Sequence, residues 1–392
     1  MVFINNILNK FNSDLFYADI KELEQRNLII NFIFENVGAP TPEYISLNDV
    51  ESHNNVYYPI VNLREIFITD NIDEDVFGIT LRNLILNNDV KVIFFDVNES
   101  HCFAEFKVLN DYLLKYNIPQ ENIFLFYNNT KLNEYKQILN SKINVYCSQS
   151  IMIEHSRILQ KNKVKYLDND KQFLFMCHNL KMHRHRVVNL AILHNNNLLN
   201  DIDYSCIIHH NDFFNESKLS NESYLKYKDS INHILSISDK KSYFESKGKV
   251  SVDSNETNFK TFENSYFNLV TETDFDLNVL HPTEKSLKPF YYFQYPLFVA
   301  PPHHVKYLKD TYGFDMFDDI INHSYDDEIH DLKRMDMIHS EILKIFNNSN
   351  FYKEIYKEHK NRFISNHNLV CDITNNTSDV SYIKSKLTKG GK

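Results

Sequence analysis

Lys181, His183, Arg184, His185 and Arg186 crowd one short stretch, after an apolar run at 171–178 and at the opening of a helical pattern. Backbone N–H groups and the helix dipole at such a junction favour an anion, and two guanidiniums grip a diphosphate through paired hydrogen bonds. A solvated, charged turn is the other reading of the same residues. Cys177, His178, His183 and His185 also stand close together. Their spacing matches no zinc pattern, and alternate strand residues point to opposite faces, so no metal is expected. Asp-x-Asp occurs at Asp168/Asp170, Asp201/Asp203 and Asp274/Asp276. In so acidic a chain such pairs arise by chance, and they read as turn and cap residues. Ser265 and Ser286 lie in no G-x-S-x-G elbow. Cys177 reads as a core thiol, and the aromatic run 290–295 as core packing rather than a base-stacking platform.

The elements that must position these residues are legible from residue 90 onward. VKVIFFDV (90–97) is a continuous apolar run, the mark of a strand buried on both faces. Residues 102–117 follow with Phe103, Phe106, Leu109, Leu113 and Leu114 at helical spacing, stopped by Pro119. A strand at 122–128, a helix at 130–140 and a strand at 142–148 complete a β-α-β-α-β order, which predicts a parallel sheet. A second round opens with a strand at 171–179, the basic loop and a helix at 186–199. Further on, a strand at 266–273 precedes a helix at 283–294 with Thr283 near its N-cap. A strand at 295–300 leads to a helix at 301–313 with Pro first and Gly last, and 330–346 is a long amphipathic helix. RNLIINFIFENV (26–37) reads as a buried strand, 211–260 as loops and peripheral helices, and the tail after Asn375 as polar and mobile. The expected divisions are 1–168, 169–348 and a C-terminal helix and tail at 349–392. The fold class is α/β, two Rossmann-like doubly wound domains facing a cleft, with ligands beyond the carboxyl ends of the strands.

Composition narrows the chemistry further. The chain has 392 residues but only 6 Gly, so neither a G-x-G-x-x-G loop nor a Walker phosphate loop is present. A net charge of −10 repels phosphate backbones at long range, so nucleic acid is not the favoured partner. The five cysteines are scattered without C-x-x-C spacing, which reads as reduced thiols in a cytoplasmic protein. No secretory leader and no run of 18 apolar residues is found, so no membrane span is expected.

Phe262-Glu263-Asn264-Ser265, followed by Thr283-Glu284-Lys285 at the opening of a helix, resembles the donor-binding signature of α-1,3-fucosyltransferases. With Val270-Thr271-Glu272-Thr273, the apolar strand behind TEKSLKP and the earlier strand and basic loop, the chain is similar to glycosyltransferase-like proteins of phages and large viruses. The likeness covers roughly residues 90–346 and is specific over 171–190 and 262–310. It implies a GT-B fold and inverting transfer of a sugar from a nucleotide diphosphate donor to an acceptor hydroxyl, on a glycan or another acceptor. It also implies no obligatory metal and no further cofactor. Lys285 would neutralise the departing diphosphate, Glu284 would hold the ribose, and Asn264, beside Glu263, would bond phosphate or sugar. Arg184 or Arg186 would complete the clamp. His281 stands where the pattern has an aromatic residue, and the spacer before Thr283 is longer, so a preference for fucose does not carry over. Asp96, at the end of the strand 90–97, or Glu99, just past it, is the candidate general base. Glu272 is a further acidic candidate with no role. Two other readings stay open: a transferase that glycosylates a modified base in phage or viral DNA, and a degenerate fold of this type serving as a binding or structural protein.

Overall fold

The computed structural model describes residues 2–4, 43–45, 56–61, 78–87, 90–96, 103–179, 183–206, 221–237, 259–275 and 279–375. The expected strand at 26–37, Glu99, Lys181 and the tail after Asn375 lie outside the described residues. Contacts divide the chain between Glu154 and His155, the second unit being His155–Thr374. Each unit is α/β and carries its own parallel sheet.

The first unit holds strands β1 (Val2–Ile4), β2 (Glu43–Ile45), β3 (Val56–Val61), β4 (Val90–Asp96), β5 (Ile123–Tyr127) and β6 (Asn144–Cys147), in the order β2-β1-β3-β4-β5-β6. All of its pairings are parallel. Val90, Val92, Ile93 and Phe94 of β4 are fully buried, as an apolar run covered on both faces requires. Helix α1 (Gly78–Leu86) precedes β4, and α2 (Phe103–Lys115) and α3 (Leu132–Ile138) follow it; α4 (Ser150–Gln160) spans the division, and its residues from His155 onward belong to the second unit. Phe106, Leu109, Tyr112 and Leu113 of α2 pack into the core with β4 and β5. Leu114, expected on that face, is 61% exposed; it stands about 100° around the helix from Leu113, which takes the core position.

Helix ends show how so glycine-poor a chain makes its turns. The expected stop at Pro119 comes earlier, at Asn117, whose φ of 53° is left-handed and lets Ile118 N–H close on Leu113 O at 2.8 Å. Asn140 (φ 49°) closes α3 in the same way, with Ser141 N–H on Lys136 O. Asn197 (φ 57°) closes helix α5 (Arg184–Asn195), with Leu198 N–H on Leu193 O. Asparagine is the side chain that best tolerates this conformation after glycine, and it takes glycine's place three times.

The second unit adds β7 (Phe173–Cys177), β8 (Ile202–Tyr204), β9 (Ser265–Thr271) and β10 (Tyr295–Val299), all parallel in the order β10-β9-β7-β8. Helices α6 (Asn221–Ser236), α7 (Phe259–Glu263), α8 (Glu284–Tyr291), α9 (His304–Tyr312), α10 (Asp331–Asn347), α11 (Ser349–Glu358) and α12 (Lys360–Asp372) complete it. Every residue of β9 and β10 is buried. The run Phe290–Tyr295 is core, none of it more than 7% exposed. Tyr266, Phe267, Tyr295, Tyr352, Tyr356 and Phe363 form one aromatic cluster of edge-to-face and tilted contacts. No described helix is long and apolar enough to cross a membrane.

Candidate functional site

Three strands of the second sheet release the chain at their carboxyl edge directly into helices or loops that carry polar groups. After β7 come His178 and Asn179, and then His183, which opens α5 in an extended conformation and makes no side-chain cap. After β9 come Glu272 and Thr273. Thr271 Oγ1 donates to Asn179 Oδ1 at 2.6 Å and joins the two edges. The first turn of α5 then clamps the end of β9. Arg186 Nη2 donates to Thr271 O (3.2 Å) and Glu272 O (2.9 Å), and His185 Nε2 donates to Glu272 O at 2.9 Å.

The Glu272 side chain, fully buried, is the hub. Its Oε1 accepts from Thr283 N–H (3.2 Å) and Ser286 Oγ (2.5 Å), and its Oε2 from Thr283 Oγ1 (2.6 Å) and Thr273 N–H (3.2 Å). Burial works to raise its pKa, but the Lys285 charge, the neighbouring His304 and the hydroxyls of Ser286 and Thr283 outweigh burial and lower it. Ser286 Oγ has one proton and gives it to Glu272, so the 2.8 Å contact with His304 Nε2 is donated by the histidine. His304, at the start of α9, is also fully buried, and its Nδ1 has no partner. Burial lowers its pKa to about 4, against the pull of Glu272.

Thr283 caps α8 as expected, accepting from Lys285 N–H. The ammonium of Lys285 lies 3.0 Å from Thr283 Oγ1, 3.2 Å from Thr273 Oγ1 and 3.3 Å from Glu284 Oε1, with its side chain 26% exposed. Burial would raise Glu284, but Lys285 and then Lys288 overcome it and hold that carboxyl well below the usual range. His281 is buried with Nδ1 unpartnered, and burial depresses its pKa against the carboxylates of Asp274 and Glu272. Thus His281, Thr283, Glu284 and Lys285 are brought together, and Arg184 stands exposed at the first turn of α5.

Two expectations need correction. Arg186 is 3% exposed, and its Nη2 is taken up by backbone carbonyls, so it ties down β9 rather than reaching into solvent. Glu263 and Asn264 lie at the amino end of β9, where Asn264 O accepts from Phe173 N–H at 3.0 Å. The seven residues of β9 separate them from Glu272, a span of ~23 Å. They do not join the cluster around Lys285. Asp96 ends β4 in the first unit.

Sequence reasoning missed three contributors. His155, from α4, is half-buried, and burial lowers its pKa while Glu284, Lys288 and Lys285 act on it electrostatically. His304 was visible only as part of the helix at 301–313, and Ser286 only as a serine outside any nucleophile elbow; the rule that ligands sit at carboxyl strand ends points to both. The three helices at this edge also differ at their N-termini. That of α9 is filled by the Asp326 carboxylate, which accepts from Val305 N–H and Lys306 N–H at 2.9 Å each. Thr283 caps α8, and His183, the N-cap residue of α5, makes no cap bond with its own side chain.

The depressed His304 has a measurable consequence. The unfolded chain binds its proton near pH 6.5 and the folded one only near pH 4, so stability falls as pH drops through that window. His304→Gln should flatten the slope of stability against pH there by roughly 1.4 kcal/mol per unit. Denaturant melts from pH 7 to 4 would read it, and an unchanged slope would refute the neutral, buried imidazole.

Neither the protein-family models nor the curated proteins give a match to this chain.

Proposed function

We propose that the second unit binds a nucleoside diphosphate at the carboxyl edge of β7 and β9, and that the chain is a glycosyltransferase using a nucleotide-sugar donor. The observation that carries this reading is the ammonium of Lys285, held by Thr273, Thr283 and Glu284 beside the edge where α5 opens on His183 with Arg184 exposed. Among the described residues, Thr283 caps the start of α8 and Asp326 that of α9. The start of α5 and the two cations are what an incoming diphosphate needs.

Chemically, the bond from the anomeric carbon to the diphosphate oxygen breaks as the acceptor oxygen bonds to that carbon from the opposite face. The acceptor proton passes to a carboxylate acting as general base. Lys285, Arg184 and the first N–H groups of α5 stabilise the charge that develops on the departing diphosphate. Metal independence is part of the same proposal, because these groups supply the positive charge.

The test is a thermal-shift screen against UDP, GDP, CDP, ADP and TDP, with and without Mg²⁺. A ligand at about 100 times its Kd adds roughly 2.7 kcal/mol, which raises Tm by about 5 °C or more in a domain of this size. One diphosphate should give that shift whether or not Mg²⁺ is present. No shift with any of the five would overturn the reading.

A further inference from the structure

Three rings lie nearly parallel where β7 hands the chain to α5. His183 and His185 are 6.0 Å apart between centroids at 7°, and His185 and Phe275 are 5.6 Å apart at 13°. These are offset-stacked geometries. Two of the rings are fixed by bonds of their own. His185 Nε2 donates to Glu272 O. The Arg334 guanidinium lies 4.0 Å over the Phe275 ring and donates to Phe275 O. Of the three rings, His183 is the exposed one, and the next residue is Arg184.

We propose that His183 is the stacking platform for the nucleobase of the nucleoside diphosphate. This rests on the reading that the diphosphate is held at the start of α5. A diphosphate gripped by Arg184 brings its base within reach of the adjacent ring, and a flat heteroaromatic base laid on His183 continues the series of His185 and Phe275. Those two rings cannot swing away when the base arrives, so the platform is organised before binding and little ordering remains to be done. Every base has a π-face, so stacking here adds affinity without selecting among bases. Selection of one base falls to groups that meet its edge.

The test compares the diphosphate preferred in the screen with inorganic diphosphate, by calorimetry on the full chain as wild type, His183→Ala and His183→Phe. The alanine variant should bind the nucleoside diphosphate about tenfold more weakly and inorganic diphosphate as the wild type does. The phenylalanine variant, which keeps a ring and loses the imidazole nitrogens, should restore most of the affinity. Equal losses on both probes would overturn the platform, because His183 would then act on the phosphates or on folding. Undiminished nucleoside diphosphate binding by the alanine variant would overturn it too, and would leave the diphosphate site standing. A wild type that binds neither probe would overturn both.

Discussion

Lys285→Ala should weaken nucleoside diphosphate binding by roughly ten- to hundredfold, the range expected when a charge-assisted hydrogen bond to phosphate is lost. The ammonium is the partly exposed cation whose position is set on three sides, by Thr273, Thr283 and Glu284. Such a preorganised charge loses little rotamer freedom when the ligand arrives, so most of its attraction reaches the bound state. The variant should keep its fold, because β9 and β10 stay buried and the Glu272 bonds to Thr283 and Ser286 remain. Arg186→Ala should behave in the opposite way. It removes a guanidinium that holds Thr271 O and Glu272 O at the end of β9, so Tm should fall first and affinity only as a consequence. Calorimetry and melting on the two variants separate the roles. An unchanged Kd in Lys285→Ala would remove this lysine from the site.

Most of the alternating order from residue 90 onward could be read from the sequence, because buried parallel strands are written as apolar runs and the helices between them carry a 3.6-residue period. Val90–Asp96, Ile123–Tyr127 and Tyr295–Val299 are of this kind. Strands β1, β2 and β3 escaped. Two of them are three residues long, too short to show a period, and β3 (VYYPIV) carries a proline that argues against a strand interior. The helix stops were legible in kind and displaced in position, since the left-handed asparagines act before the proline does.

The site divided along a different line. Thr283, Glu284 and Lys285 are consecutive, and a helix start fixes consecutive residues in space, so a local pattern was enough to group them. Glu263 and Asn264 belong to the same resemblance, but a whole strand intervenes, and adjacency in a motif says nothing about which end of a strand a residue occupies. Arg184 and Arg186 are two positions apart in one helical turn, and about 200° of rotation turns one to solvent and the other to the core. Glu272, Ser286 and His304 converge from three different elements, a juxtaposition that only the sheet order creates.

Glu272→Ala should be the most destabilising single change at this edge, costing roughly 3 kcal/mol or more. The carboxylate answers two backbone N–H groups and two hydroxyls, three of them buried and the Thr273 N–H half-buried. Deleting it leaves those donors unmatched, while His304, Arg186 and Lys285 lose the negative charge that faces them. Glu272→Gln separates charge from shape. The amide keeps one acceptor oxygen but turns a nitrogen donor toward groups that themselves donate, so it should recover only part of the loss. Its acid limb is the more telling readout. Because Glu272 is depressed in the folded state, its contribution is complete above the unfolded value near pH 4.5 and fades as pH falls through the lower folded one. The glutamine variant lacks that dependence. It also removes the carboxylate that draws His304 upward, so the imidazole should titrate below pH 4 and the window that begins near pH 6.5 should extend further into acid. Denaturant melts across pH 7 to 3 on wild type, Glu272→Gln and His304→Gln distinguish these effects. Parallel curves for wild type and Glu272→Gln below pH 5 would mean that the buried carboxylate is not the charged hub of this edge.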